Sequence, residues 1–179
     1  MTTIHGDRVL LRPIGPADRA RAREILAAPE VARWWGDPDH ETEGLYEVEE
    51  GYAVYVIEAD GAVGLIQSCE ELDPQYRHAG IDIAIHPDFH GRGIGTDAIR
   101  ALARHLFENG HHRLTIDPAA ANETAIRVYT NVGFRPVGVL RGYERGADGT
   151  WHDGLLMDLL AGELKCGVSP CRRPAEATG

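Results

Sequence analysis

Residues 80–107, GIDIAIHPDFHGRGIGTDAIRALARHLF, constrain this chain more than any other stretch. Ile81, Ile83 and Ile85 alternate with Asp82 and Ala84, the period of a strand with one apolar face. Pro87 ends that strand. Ile94, Ala98, Ala101, Leu102 and Leu106 then recur at helical spacing, predicting a helix over 93–108 that Asn109-Gly110 stops. Gly91, Gly93 and Gly95 sit where turn becomes helix, so free backbone N–H groups and the positive end of the helix dipole converge on one small volume. That volume suits an anion, above all a phosphate. Asp82 stands out for another reason: strand interiors are depleted in aspartate, and a carboxylate there carries a desolvation cost unless it faces solvent or a polar site.

The rest of the chain frames this unit. At 179 residues it is long enough for one well-packed core and short for two, so 1–164 is expected to be a single domain. The tail 165–179 has lost all periodicity and is expected to be disordered. No apolar run approaches a membrane span, and the N-terminus lacks a signal pattern, which points to a cytoplasmic protein without a membrane partner. Cys69, Cys166 and Cys171 have no paired spacing for a disulfide framework or a zinc site, and no metal is expected. The net charge of −10 disfavours nucleic acid and suits a cationic partner, although it also serves plain solubility.

Residues 8–14 read as a first strand and 16–28 as a helix bounded by prolines. Residues 31–36, VARWWG, form a loop or short helix in which Trp34 and Trp35 point in different directions, leaving one for a cleft. The acidic segment 37–51 reads as a helix or as a lid. Runs at 52–59 and 62–68, joined by Asp60-Gly61, make a hairpin. A polar connection, 69–79, holds Glu70, Glu71 and Asp73, either a solvated loop or an acidic rim for a cation. Residues 113–117 form a strand broken by Pro118. Asn122 caps a helix to Val132, with Ala125, Val128, Tyr129 and Val132 on one face and Gly133 at its end. Strands at 134–140 and 154–160 close around a glycine-rich loop, and the paired His111-His112 reads as surface. Helices alternate with strands only in the middle and hairpins flank them, which argues for a mixed α/β sheet rather than a doubly wound parallel one.

The glycine spacing fails both the dinucleotide fingerprint and the Walker pattern. His90-Gly91-Arg92-Gly93-Ile94-Gly95, followed by Thr96, instead resembles the acetyl-CoA loop of the GNAT superfamily of N-acetyltransferases, Arg/Gln-x-x-Gly-x-Gly/Ala. His90 departs from the usual first residue. Asn122-x-x-Ala125-x-x-x-Tyr129-x-x-x-Gly133-Phe134 resembles the superfamily's second cofactor motif. Trp34-Trp35-Gly36, Gln67-Ser68, Gly80-Ile81-Asp82 and Asp117-Pro118 are similar to segments of the aminoglycoside 6'-N-acetyltransferases, and the double Trp-Gly is shared with siderophore-biosynthesis acyltransferases. The resemblance implies a GNAT fold with a mixed, mostly antiparallel sheet of six to seven strands. It implies acetyl-CoA held by Ile83, Ala84, Ile85, the residues from His90 to Thr96, Asn122, Ala125 and Tyr129. It also implies a cationic acceptor, an aminoglycoside, against Trp34, Trp35, Asp82 and Asp117, to which a rim of Glu70, Glu71 and Asp73 would add, in a monomer or homodimer.

Chemistry gives those roles content. An ammonium must lose a proton before it attacks a thioester, which makes Asp82 the candidate base. Amides near Ile83 and Ala84 would donate to the oxyanion if the sheet splays there, and Tyr129 would protonate the departing thiolate. Two readings stand for Tyr129, acid or core tyrosine, and two for Asp117, acceptor contact or turn residue. An acceptor on a protein N-terminus, a siderophore amine, and a CoA-binding module without turnover are the alternatives.

Overall fold

The computed structural model describes residues 2–47, 49–146 and 148–165. The tail expectation therefore falls, apart from Lys165, outside the described residues. One eight-stranded sheet organises the fold, in the order β1-β2-β3-β4-β5-β6-β8-β7. Its strands are β1 (Ile4–His5), β2 (Leu10–Pro13), β3 (Tyr52–Glu58), β4 (Ala62–Glu71), β5 (His78–Ile85), β6 (Arg113–Ile116), β7 (Arg135–Arg145) and β8 (Trp151–Leu160). All neighbours are antiparallel except β5 and β6. Five α-helices among the described residues flank the sheet: α1 (Arg19–Ala27), α2 (Pro29–Trp35), α3 (Pro38–Gly44), α4 (Ile94–Glu108) and α5 (Glu123–Val132). None is long and apolar enough to cross a membrane.

The alternation along each strand divides the core in two. Ile57, Ile66, Ile81, Leu102, Leu114 and Phe134 belong to the core beneath α4 and α5. Val54, Val56, Leu65 and Ala84 face the other way and bury Ile25, Leu26 and Val31 of α1 and α2. Asp82 shares the second face, because it alternates with Ile81 and Ile83.

The fold is the mixed sheet expected, with one strand more. That strand is β1, two residues long and too short for any alternation to announce. It exists because Asp97, in the first turn of α4, accepts the backbone N–H groups of Asp7, Arg8 and Val9 at 3.1, 2.7 and 3.1 Å. Gly6 is obligatory beside it, since a Cβ there would lie 2.6 Å from Asp97 Oδ2. The Asp60-Gly61 hairpin forms as expected, with Asp60 at φ 61° and Gly61 at φ 104° in a three-residue loop between the paired Glu58 and Ala62, next to a register shift at Ile57/Glu58.

Three other expectations are corrected. The connection 69–79 narrows to residues 72–77, because β4 runs to Glu71 and β5 begins at His78. The glycine-rich loop between the last two strands is short, because β7 and β8 extend to Arg145 and back from Trp151. His111 is buried, at 3% exposure, rather than on the surface. Its Nε2 meets Glu70 Oε2 at 2.6 Å, so burial is matched by a charged partner.

Candidate active site

Helix α4 begins directly on the glycine turn. Gly91 and Gly93 adopt φ values of 72° and 77°, and a Cβ on either would meet nothing within 4 Å. Glycine is required there by backbone conformation, and the space outside the turn is open. Gly93 stands at the N-cap without a side-chain cap. Among the described residues no acceptor takes the amides of residues 91–96, so the first-turn donors point outward. The side chains around them turn inward. His90 Nε2–H donates to the Ile85 carbonyl at 2.8 Å, tying the loop to β5. Arg92 donates to the Asp88 carbonyl at 2.7 Å and lies over the Phe89 ring at 5.1 Å. Gly95 packs on Ile85 and Ile83. This cradle of unspent amides at a helix N-terminus fits a pyrophosphate. Gly93→Val is expected to weaken CoA binding at least tenfold, by adding a branched side chain at a left-handed position facing that space. A normal CoA dissociation constant by calorimetry would move the pyrophosphate elsewhere.

Next to the turn the sheet splits. β5 pairs with β4 along its whole length, from Glu71–His78 to Gly64–Ile85. Its parallel pairing with β6 stops at Ala79–Leu114 and Gly80–Thr115. From residue 81 the edge of β5 facing β6 is open, and backbone groups around Ile83 and Ala84 border the wedge. Across the wedge stands α5, capped by Asn122, whose side-chain oxygen accepts the Ala125 N–H at 3.1 Å.

Acidic and phenolic groups meet at this split. Asp82 is open to solvent but crowded by protein, the situation of a group on the floor of a cleft. That crowding, with the charge of Asp117 adding to it, raises its pKa above the usual aspartate range, while the bond from Gln67 Nε2 at 3.2 Å lowers it. Tyr129 is buried beside Phe134, at 6.3 Å between ring centroids. Burial first, then the charges of Asp82 and Asp117, push its pKa well up, so the hydroxyl stays protonated. Asp117 accepts a hydrogen bond from the Tyr143 hydroxyl, which pushes the Tyr143 pKa up to about 12.

Beside Asp82, on the face of α1–α3, lies a cleft of ≈ 350 Å³ lined by Trp35, Glu41, Glu47, Glu49, Tyr52 and Gln67, among others. Among the described residues no lysine or arginine lines it. Burial raises the Glu41 pKa, and the charges of Asp37 and Asp82 add to it.

The structure thus brings Asp82, Asp117, Tyr129 and Trp35 to one region. Trp34 is half-buried under the guanidinium of Arg33, 4.3 Å from its ring, and does not line this cleft. Glu70 does not join the group, because it alternates to the opposite face of β4 from Gln67 and is bound to His111. Glu71 and Asp73 accept the N–H groups of Asp73 and Gln75, stiffening their own exposed turn. Glu41, Glu47, Glu49 and Tyr52 were not among the site residues expected from sequence. Strand parity offered a signal for Tyr52, which pairs with Cys69 on the face of Gln67 and Asp82. Nor was Tyr143 among them, for which no local signal exists.

A family model described as an acetyltransferase (GNAT) domain matches residues 8–135. The chain belongs to the GNAT acetyltransferases. It is 29% identical over 164 residues to an aminoglycoside N(6')-acetyltransferase type 1 of Klebsiella pneumoniae, covering 78% of this chain and 80% of the relative. It is 25% identical over 157 residues to the spermidine N(1)-acetyltransferase of Escherichia coli K12, covering 83% and 84%. Among solved structures, Mycobacterium smegmatis RimJ in complex with a CoA disulfide is similar at a TM-score of 0.78 and 27% identity, covering 91% of this chain and 88% of that one. As a GNAT acetyltransferase the chain uses acetyl-CoA and transfers the acetyl group to an amine.

Proposed function

We propose that this enzyme acetylates the 6'-amine of an aminoglycoside, in the manner of a resistance enzyme, by direct attack. The observation that carries the reading is the meeting of Asp82, Asp117 and Tyr129 at the β5–β6 split, beside a cleft whose charged lining among the described residues is wholly acidic. An aminoglycoside is a polycation, and such a cleft holds one ammonium while another is brought to the reacting position. Its similarity to the Klebsiella aminoglycoside N(6')-acetyltransferase supports the same acceptor.

Acetyl-CoA supplies an acyl group activated as a thioester, and the chain's own residues do the rest. The amides of residues 91–96 take the pyrophosphate. Asp82 accepts the proton of the attacking ammonium; its raised pKa narrows the gap to the amine and makes it a better base than an ordinary aspartate. Amides at the open edge of β5, near Ile83 and Ala84, donate to the oxygen on which negative charge develops. Tyr129, kept protonated by burial, gives its proton to the leaving thiolate. Asp117 and the cleft glutamates hold the remaining ammonium groups. Attack is direct, so Cys69 has no nucleophilic part.

A second reading, a linear polyamine acceptor, is favoured by the same acidic lining and by similarity to the Escherichia coli spermidine enzyme. Thiol release with kanamycin, spermidine, hydroxylamine and a peptide with a free N-terminus separates the possibilities. Kanamycin is expected to give the highest kcat/KM. A preference for spermidine installs the second reading, and release only with peptide or hydroxylamine removes both.

A further inference from the structure

Hairpin β7–β8 contains an irregularity that ends on Asp117. Between the pairs Leu140–Gly154 and Glu144–His152, β7 advances four residues while β8 advances two. Such bulges bend a strand and re-aim a side chain, and they gather beside active sites. Here Gly142 takes φ 56°, and its N–H is held by Asp153 Oδ1 at 2.7 Å. The bulge lays the Tyr143 ring across Gly154. A Cβ on Gly154 would stand 2.8 Å from Tyr143 Cδ1, so this ring position requires glycine beneath it.

The same stretch of β8 fixes the chain that follows Asp117. Leu155 N–H donates to the Pro118 carbonyl and Ala120 N–H to the Asp153 carbonyl, both at 2.8 Å. Ala119 bridges to Gly154. The backbone at Asp117 is thereby anchored, but its carboxylate still has a free rotation. Tyr143 stops it by donating its hydroxyl hydrogen to Oδ2, which leaves Oδ1 for a ligand. Packing does not account for the tyrosine, which is 47% exposed.

We propose that Tyr143 is a positioning residue that orients the Asp117 carboxylate toward an ammonium group of the acceptor and so sets acceptor affinity. This rests on the assignment of Asp117 to the acceptor made above. Tyr143 acts through Asp117 and not on the reacting atoms, so its loss falls on acceptor binding.

The test measures kanamycin affinity by calorimetry on the full chain saturated with CoA, with spermidine as a second probe, alongside acceptor KM, kcat and Tm. Tyr143→Phe is expected to weaken acceptor binding about tenfold, the worth of one hydrogen bond to a charged group, and to leave CoA affinity unchanged. The same factor is expected in acceptor KM rather than in kcat. Gly154→Ala, which displaces the ring, is expected to match it. In an Asp117→Asn background, adding Tyr143→Phe is expected to cost nothing more. Normal acceptor affinity in Tyr143→Phe, with a lowered Tm or without, overturns the proposal while Asp117→Asn still weakens binding. Normal affinity in Asp117→Asn removes Asp117 from the acceptor site, and this proposal with it. Absence of binding by either probe to the unaltered chain has the same consequence.

Discussion

Asp82→Asn is expected to lower turnover by on the order of a hundredfold or more while leaving CoA affinity unchanged, because it removes the β5 carboxylate at the split and leaves the glycine cradle intact. Unchanged turnover would take Asp82 out of the mechanism. The same substitution has a second expected effect of opposite character. Folding raises the Asp82 pKa, so the folded chain binds that proton more tightly than the unfolded chain does. The contribution of this group to stability is therefore best below the ordinary aspartate pKa and worsens as pH rises through the raised value. At neutral pH the ionised carboxylate works against folding, and Asp82→Asn is expected to raise Tm. In the unaltered enzyme the base must be ionised, so kcat/KM is expected to fall on the acidic side at a pH above the usual aspartate pKa of about 4. A limb at or below that value, or a lower Tm in the variant, would contradict the environment described for Asp82.

Asp97→Ala is expected to destabilise the fold by on the order of 3 kcal/mol. Its carboxylate accepts three backbone N–H groups of the β1–β2 turn, and alanine offers none of them an acceptor. The loss should extend to the cofactor. The turn that Asp97 holds also carries Arg8, which donates to the Arg92 carbonyl at 3.3 Å inside the glycine loop. Urea unfolding checks the first effect and CoA calorimetry the second. A destabilisation below about 1 kcal/mol would mean that water replaces the carboxylate without penalty.

These two aspartates show how differently function and stability are written. Asp82 was legible in the sequence, since an aspartate among alternating isoleucines is out of place unless it serves a polar site. Asp97 was not, because an acidic residue in the first turn of a helix is ordinary. Only its partners, about ninety residues earlier in the chain, make it exceptional. Glu70 and Asp117 make the same point. By sequence both are candidates for the acceptor, yet strand parity turns Glu70 to the opposite face and onto His111, whereas Asp117 arrives beside Asp82. The glutamates of the cleft were visible only as an acidic stretch. Their meeting with Tyr52 and Gln67 depends on where α3 and the segment that follows it lie relative to β3 and β4.

The glycine turn, the Asp60-Gly61 hairpin, the Asn122 cap and the periods of α4 and α5 were determined by the sequence alone. Each rests on the conformational preference of a few adjacent residues, which distant chain does not alter. Tertiary structure decided where β5 parts from β6, which carboxylates face the opening, and that a bulge carries Tyr143 over Gly154 to Asp117. Those outcomes depend on register and on contacts between segments far apart in the chain, where a shift of one residue exchanges the faces of a strand.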